Sequence, residues 1–336
     1  MNDLNKTYDV GKSDSPVLEE PAISNFGKKI SLSTRIKEKL LYYFFALNGI
    51  MAVVFIALIF IFLFKEGFKA LDHIHVSDFI YYNQQQANNT LQKVYEWYPT
   101  SSIERYSLIP LILGSLLTAI PATIISTIFG IAAGIYLAEI AHPKVREFLK
   151  PAIELFAGIP TVVLGFLMLV VGATLINDFL NPANRLNAFL ASLGLSFVII
   201  PIIASLTEDS LHSIPNELRM ASYGLGATKW QTISRVILPA AFSGVSASVI
   251  LGFGRAIGET MIVLMAAGNA ANLTTDLFRS VRTMTATIAA EMGEVSQGSN
   301  HYYALFFIGI VLFTITFFLN LIAEVIINKM RKKNRL

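Results

Sequence analysis

The chain has 336 residues, of which 54% are hydrophobic and only 15% are charged, and its formal net charge is +3. Soluble proteins usually carry about 25% charged residues, so this composition favours a protein embedded in lipid. The absence of cysteine excludes disulfides, cysteine-ligated zinc, iron–sulfur clusters and thiol catalysis.

The N-terminal part of the sequence divides into three segments. Residues 1–40 are polar, without the apolar core and cleavage site of a signal peptide, and we expect a cytoplasmic N-terminal tail. Residues 41–64 are apolar over enough positions to cross a bilayer, which takes about 20 residues, and predict the first transmembrane helix. The polar residues 65–107 that follow predict an extracytoplasmic loop.

Five more apolar segments predict five more membrane-spanning helices, because a helix satisfies its own backbone groups in hydrocarbon. They are 108–137, 151–176, 188–206, 240–268 and 304–327. The sequence therefore predicts an all-α, polytopic membrane helical bundle with six transmembrane helices, in which 108–327 form one continuous domain. Pro121, Pro160 and Pro201 lie inside three of these segments, where each either kinks a packed helix or forms a bend that lines a substrate path.

Lysine and arginine are unequally distributed between the two sides of such a bundle. Six spans place both termini on one side, together with 18 of the 26 lysines and arginines; 7 lie on the other side, and Arg255 lies within a span. Because cytoplasmic loops retain positive charge, we expect a multi-pass protein with both termini in the cytoplasm. Residues 328–336 then form a basic cytoplasmic tail.

Residues 207–239 lie between the fourth and fifth predicted spans, on the predicted cytoplasmic side. Pro215 suits the first turn of a helix, and Gly226 suits the end of one. Thr228 has Gln231 three residues later, the pattern of a capping box that opens a second helix. The segment therefore predicts a hairpin of two short helices.

The second helix of this hairpin carries an apolar stripe at helical spacing. Its members are Trp230, Ile233, Val236 and Ile237. Such a stripe either packs on the protein's own spans or docks into a groove on another protein, and the sequence leaves both interpretations open.

The fifth predicted span contains two charged residues, Arg255 and Glu259, four positions apart and hence on one face of a continuous helix. A charge at the bilayer centre costs at least about 2.5–3.5 kcal/mol, so such residues are usually paired or line a wet path. The pair either locks two helices together or lines an anion path in which Glu259 offsets the charge of Arg255. Gly254 and Gly258 form a small-xxx-small face that predicts close helix packing.

The stretch ASYGLGATKWQTISRVILP, residues 221–239, resembles the cytoplasmic coupling loop of binding-protein-dependent ABC importer permeases. That loop has a Glu-Ala-Ala triplet, a glycine and a Leu-Pro pair, and this chain has Met220 at the position of the family's glutamate. The resemblance implies an ATPase-coupling role for a set of hairpin residues. They are Met220, Ala221, Ser222, Gly226, Ala227, Trp230, Ile233, Leu238 and Pro239.

Three further stretches indicate which subfamily of these permeases the chain resembles. GFGRAIGETMIVLMAAGN, residues 252–269, resembles the fifth span of the C-type permease subunit (PstC-type) of phosphate-specific importers. ELFAGIPTVVLGF, residues 154–166, resembles the third span of that family, and RTMTATIAAEM, residues 282–292, resembles its last outward loop. The resemblance implies an ABC type I importer (MetI-like) permease fold and a set of residues on the substrate pathway. They are Arg255, Glu259, Arg282 and Thr283.

The same resemblance implies a permease subunit of an ATP-driven phosphate importer in the bacterial inner membrane, and not an enzyme. Its implied partners are an A-type permease subunit, a dimer of ATPase subunits and an extracytoplasmic phosphate-binding protein. The sequence has no GxxxxGK[ST] phosphate loop, so we expect no cofactor or metal in this chain, and ATP and Mg bound by the partner ATPase. Nothing in the sequence resembles a nucleic-acid module. The alternatives are a permease for sulfate or molybdate and an ATP-independent secondary transporter.

Overall fold

The computed structural model of the protein describes residues 32–85 and 91–333, so most of the predicted tail 1–40 lies outside the described residues. Helices make up most of the described chain. They are α1 (Leu32–Phe68), α2 (Ala70–His73), α3 (Ile109–Ile135), α4 (Pro143–Ala157), α5 (Thr161–Leu167), α6 (Ala173–Leu180), α7 (Ala188–His212), α8 (Asn216–Gly224), α9 (Lys229–Thr232), α10 (Leu238–Ala240), α11 (Phe242–Gly258), α12 (Met261–Ala266), α13 (Met284–Glu291) and α14 (Asn300–Lys333).

Short π-helical turns extend or join several of these helices. They are Tyr136–Ile140 after α3, Met168–Gly172 between α5 and α6, and Ile233–Ile237 between α9 and α10. The predicted outward loop also contains regular structure, a 3₁₀ turn and two antiparallel hairpins. The strands are β1 (Tyr82–Gln85) with β2 (Leu91–Val94), and β3 (Trp97–Tyr98) with β4 (Arg105–Tyr106).

Five helical segments of the described residues are long and apolar enough to cross a bilayer singly. They are Lys37–His73, Ile109–Ile140, Thr161–Leu180, Ala188–His212 and Asn300–Val325. A sixth span is obtained when Lys229–Ala240 and Phe242–Gly258, which are bent by 71°, are counted as one. The predicted all-α membrane bundle is confirmed, and its sixth span depends on this bent pair.

The chain divides into two compact units, residues 1–59 and 60–336. The described part of the first unit is the N-terminal portion of α1, whose large apolar side chains are exposed along the helix. Such a surface suits hydrocarbon and not water. The second unit contains the hydrophobic core and all the elements discussed below.

The central pair of helices in the second unit is α3 and α7. Gly130 and Gly134 lie four residues apart on α3, and α7 passes so close that a Cβ added at Gly134 would lie 2.8 Å from the carbonyl oxygen of Ala204. A pair of small residues at this spacing lets two helix backbones approach closely in a membrane. The hydroxyl of Ser192 on α7 also donates to the carbonyl of Thr118 on α3, at 3.0 Å.

The prediction for the third span, residues 151–176, is wrong at its start. Pro151 and the residues up to Ala157 belong to α4, and the spanning helix runs from Thr161 to Leu180 instead. Pro160 stands immediately before α5 with an extended backbone, and a proline disfavours the helical conformation in the residue before it. Pro160 is therefore at a helix start and not inside a span, whereas Pro121 and Pro201 do lie inside α3 and α7.

Helix α4 is held against α7 by a buried carboxylate. Glu208 on α7 is fully buried and forms ion pairs with Arg146 and Lys150 of α4, and Lys150 also lies 2.8 Å from Asp209. A buried carboxylate is tolerated when cations neutralise it in this way. The polar side of α4 thus faces the bundle, and apolar side chains such as Phe148 are exposed.

At the end of the bundle opposite the 207–239 hairpin, Glu291 joins four parts of the chain. Its Oε2 accepts a hydrogen bond from Trp97 Nε1 at 2.9 Å and lies 2.8 Å from His301 Nε2, and its Oε1 lies 2.5 Å from Arg282. Burial acts to raise the pKa of the Glu291 carboxyl, but the bonds from His301 and Trp97 and the charge of Arg282 outweigh it, so the pKa lies below its ordinary value. The ionised carboxylate therefore fastens β3 to α13 and α14.

A lowered folded-state pKa means that ionised Glu291 stabilises the fold above its unfolded-state pKa, near 4.5, and that this stabilisation is lost as the pH falls through the folded value. We expect the thermal midpoint of the purified protein to fall more steeply below about pH 4.5 in the wild type than in Glu291→Gln. Parallel pH profiles for the two proteins would contradict this assignment.

Close approach of α3 and α7 predicts that Gly134→Ala destabilises the bundle, because the new Cβ would also lie 2.7 Å from Thr207 Cβ. Overpacking of this kind costs about 1–3 kcal/mol, and the thermal midpoint in detergent should fall accordingly. Gly224→Ala is the matched control, since a Cβ there meets nothing within 4 Å. Equal midpoints for the two variants would contradict the packing argument.

Candidate functional site

The bent fifth span is interrupted a second time, directly after α11. The backbone of Glu259 is extended (φ −71°, ψ 136°), and helix resumes only at Met261. Oε1 of Glu259 accepts hydrogen bonds from the amides of Thr260 (3.1 Å) and Met261 (3.2 Å). The carboxylate thus takes the place of helix carbonyls as partner for these amides. The prediction of a continuous span 240–268 is therefore wrong, whereas Arg255 and Glu259 still form an ion pair four residues apart at the end of α11.

Arg255 nevertheless remains beside Glu259. One guanidinium nitrogen lies 3.9 Å from Glu259 Oε2, an ion pair beyond hydrogen-bonding distance. The Arg255 side chain is 50% exposed, whereas that of Glu259 is 8% exposed. Arg255 forms no hydrogen bond to another residue in the part of the chain that the structure describes. An arginine exposed on a membrane-spanning helix is costly in lipid, so this face of α11 points toward protein or water.

The two glycines next to this pair have different surroundings in the described chain. A Cβ added at Gly254 would be 3.6 Å from Asn320 Oδ1 on α14, an ordinary contact, whereas one at Gly258 would meet no heavy atom within 4 Å. Close packing of another helix at Gly258, including a helix of a second chain, stays a prediction.

The start of α13 lies against the break after α11. The hydroxyl of Thr285 donates to the carbonyl oxygen of Glu259 at 2.8 Å. Thr283, a predicted pathway residue, is buried, and its hydroxyl caps α13 by accepting from the amide of Ala286 at 3.2 Å. The structure thus brings Thr283 to the break. The sequence analysis did not identify Thr285, because hydropathy and capping patterns do not indicate which distant residue a threonine side chain contacts.

Arg282, the other predicted pathway residue, is held by the chain itself. Its Nε donates to the carbonyl of Asn269 at 3.1 Å, and a guanidinium nitrogen contacts Glu291. Among the residues that the structure describes, no hydrogen bond or ion pair joins Arg282 to Arg255 or Glu259. Among the described residues, Arg255 therefore has fewer hydrogen-bond partners than Arg282.

At the other end of the bundle, the predicted hairpin of two short helices is present. Helix α8 follows Pro215, and Gly226 turns the chain with a left-handed φ of 82°. The predicted capping box of α9 is confirmed: Thr228 accepts from the Gln231 amide at 3.3 Å, and the Gln231 side chain accepts from the Thr228 amide at 2.9 Å. This helical arm ends at Ala240, one residue beyond Pro239.

Arg219 fastens the hairpin to the rest of the bundle. Its guanidinium lies 2.6 Å from Glu139 Oε1, in the π turn after α3, and donates to the carbonyls of Leu211 (2.8 Å) and Ile214 (2.6 Å). The hairpin is therefore tied to the end of α3 as well as to α7. The sequence gives no signal for this role, since an arginine on an amphipathic helix usually faces solvent.

The apolar side chains of the hairpin divide between two surfaces. Leu225 is 90% exposed and Trp230 is 66% exposed, with Met220 also exposed. Ile233 is only 2% exposed, so its prediction as a partner contact is corrected: the π turn after α9 directs it into the chain's own core. The interpretation that the stripe packs on the protein's own spans thus holds for Ile233 and Ile237, whereas docking of Trp230 on another protein stays a prediction.

The other predicted coupling residues also differ in exposure. Ala221 and Pro239 are exposed, and Ala227 and Leu238 are half-buried. Ser222 is buried, and its hydroxyl lies 2.9 Å from that of Thr232, which joins α8 to α9. Leu225, between Gly224 and Gly226, was not among the predicted coupling residues. It is the most exposed large apolar side chain of the hairpin.

Solved structures with a similar fold are ABC importers. The chain superimposes on a MetNI methionine ABC transporter in an inward-facing conformation with a TM-score of 0.53 and 17% identity, covering 66% of this chain and 95% of that one. It also superimposes on a bacterial ABC transporter involved in the import of the acidic polysaccharide alginate, with a TM-score of 0.57 and 16% identity over 88% and 99% of the two chains. These similarities establish the fold.

Sequence comparisons agree with the fold. A probable ABC transporter permease, YqgH of Bacillus subtilis, is 37% identical over 66% of this chain and 72% of its own length. The phosphate transport system permease protein PstC of Mesorhizobium japonicum is 32% identical over 68% and 75%. The family model for binding-protein-dependent transport system inner membrane components matches residues 130–332. The chain therefore belongs to this family, as a multi-pass permease subunit of the ABC importer class and not itself an enzyme.

Proposed function

We propose that this chain is one permease subunit of an ATP-driven phosphate importer and forms half of its transmembrane pore. The observation that carries the proposal is Arg255, a half-exposed cation on a membrane-spanning helix without a hydrogen bond in the described chain. The naming of several similar proteins as phosphate transport permeases supports the same substrate.

An anion that crosses a membrane needs a cation to offset its desolvation, but it must also leave the site. Arg255 supplies guanidinium donors that suit an oxyanion bidentately. Glu259, at 3.9 Å, reduces the net attraction without occupying those donors through hydrogen bonds. Thr283 and Arg282, close to the start of α13, complete the proposed pathway toward the outer end of the bundle.

The partner across the pore is an A-type permease subunit. The open face of α11 around Arg255, with no close neighbour at Gly258, suits a second protein that encloses a wet path. Within the described residues this face is open around Gly258, and a small residue there allows a close helix approach.

The hairpin end of the bundle faces the cytoplasm, as the lysine and arginine distribution favours. Its exposed Leu225, Trp230 and Met220 form an apolar surface that docks into a dimer of ATPase subunits, which bind ATP and Mg. The opposite end receives an extracytoplasmic phosphate-binding protein. Closure of the ATPase dimer moves the hairpins and switches the pore between its two orientations.

The decisive experiment is radiolabelled phosphate uptake into proteoliposomes that contain this chain, its partner permease, the ATPase and the binding protein, with and without ATP on the ATPase side. Uptake that requires both ATP and the binding protein supports the proposal. Uptake without ATP indicates a secondary transporter. If phosphate is not taken up and the ATPase is stimulated by sulfate or molybdate with its own binding protein, phosphate is not the substrate. The assignment as an ATP-driven importer permease then still stands.

We expect Arg255→Gln and Glu259→Gln each to lower phosphate uptake to background while the complex still assembles, because the path would lose either its cation or the charge that offsets it. Uptake and co-purification are measured on the same preparations. Arg279→Gln is the control, since the Arg279 side chain is exposed and, among the described residues, forms an ion pair with Asp276 alone, at 3.6 Å. Normal uptake by both path variants would remove the pair from the pathway.

We expect the double variant Leu225→Ala, Trp230→Ala to lose co-purification with the ATPase subunit, since it removes two exposed apolar side chains of the hairpin. Phe179→Ala is the matched control, an equally exposed apolar residue at the end of α6, on the opposite side of the bundle. Retained association in the double variant, or equal loss in the control, would contradict the hairpin as the docking surface.

A further inference from the structure

Glu259 lies at the interruption between α11 and α12, where the chain is not helical. It follows the last residue of α11, its backbone is extended, and α12 begins two residues later. One carboxylate oxygen is bonded to the amides of Thr260 and Met261, so the direction in which the other oxygen points depends on the backbone path through the break.

Among the residues that the structure describes, one side chain from another element bonds to that backbone. The Thr285 hydroxyl donates to the Glu259 carbonyl oxygen at 2.8 Å, and Thr285 is 8% exposed. A carbonyl at this place cannot accept a helical hydrogen bond in the usual pattern, and a buried carbonyl left without a partner is unfavourable because its desolvation is not compensated. The hydroxyl therefore decides whether this conformation of the break is favourable.

The donor is itself held in place by neighbouring groups. Thr285 Oγ1 lies 3.2 Å from the hydroxyl of Thr283, which caps α13. The amide of Met284, between them, donates to Ser115 Oγ of α3 at 3.0 Å. The first turn of α13 is thus hydrogen-bonded both to a membrane-spanning helix and to the break.

We infer that Thr285 is a positioning residue of the transport pathway: its hydroxyl fixes the break after α11 so that the Glu259 carboxylate stays turned toward Arg255. This inference rests on the proposed function, since it assigns Thr285 a part in setting the Arg255–Glu259 pair that the anion meets. Thr285 acts on the anion through Glu259 and not by direct contact.

The test compares Thr285→Val, Thr285→Ser and Thr287→Val in the complete reconstituted importer. Thr287 is the matched control: it is a fully buried threonine of the same helix, and its hydroxyl donates within α13, to the carbonyl of Thr283 at 2.8 Å. Initial rates of phosphate uptake are measured against the concentration of loaded binding protein, together with the thermal midpoint of each complex.

We expect Thr285→Val to lower the maximal uptake rate by about tenfold, the factor that corresponds to 1.4 kcal/mol, a value within the cost of an unsatisfied buried carbonyl. The concentration of binding protein at half-maximal rate should stay unchanged, because docking occurs elsewhere. Thr285→Ser, which keeps the hydroxyl, should transport within about twofold of the wild type, and so should Thr287→Val.

Three results would overturn the inference: normal uptake by Thr285→Val, equal losses in Thr285→Val and Thr287→Val, or an assembled but inactive Thr285→Ser. If Thr285→Val fails to assemble, Thr285→Ala replaces it and is judged by the same comparison with Thr285→Ser. A wild-type complex that transports no phosphate contradicts the proposed function instead. The same variants are then compared on the oxyanion that the wild type does transport, so the two failures remain distinguishable.

Discussion

Every backbone amide and carbonyl in the hydrocarbon layer needs a partner from the protein, because lipid supplies none. This constraint explains how the fifth span can be interrupted at Glu259. The carboxylate of Glu259 satisfies two amides at the start of α12, and the Thr285 hydroxyl satisfies the Glu259 carbonyl. The interruption is therefore a stable structure built from side chains. It leaves the Glu259 carboxylate within ion-pair distance of Arg255.

The charged residues of the bundle differ in how many hydrogen bonds and ion pairs they form within the described chain. We use this difference to separate charges that hold helices together from charges available to an anion. Glu208 is fully buried between two cations, and Arg219 bonds to a carboxylate and two carbonyls. These groups hold helices together. Arg255 has one distant ion pair and is half exposed. A cation whose donors are not used by its own chain is the group best able to meet a passing anion.

Helix α3 contacts both ends of the bundle. The turn that follows it carries Glu139, which holds Arg219 of the hairpin, and near its start Ser115 accepts a hydrogen bond from the amide of Met284. Between these ends, α3 packs closely on α7 through Gly134 and its neighbouring glycine. Contacts of α3 therefore connect the hairpin, through the packed α3–α7 pair, to the segment that bonds to the break beside Arg255.

The sequence by itself determined the membrane class, most span positions, the capped hairpin and the identity of the charged residues, because hydropathy, capping patterns and glycine turns are local signals. It did not determine the breaks at Pro160 and Glu259, the burial of Ile233 or the role of Thr285. The hydropathy of an apolar segment is the same whether its helix is continuous or interrupted. Which side chains form hydrogen bonds with the free backbone groups of an interruption depends on contacts between elements that are distant in sequence. Tertiary packing thus decided how the chain continues after the Arg–Glu pair, because Thr285 from a distant segment supplies the hydrogen bond to the Glu259 carbonyl.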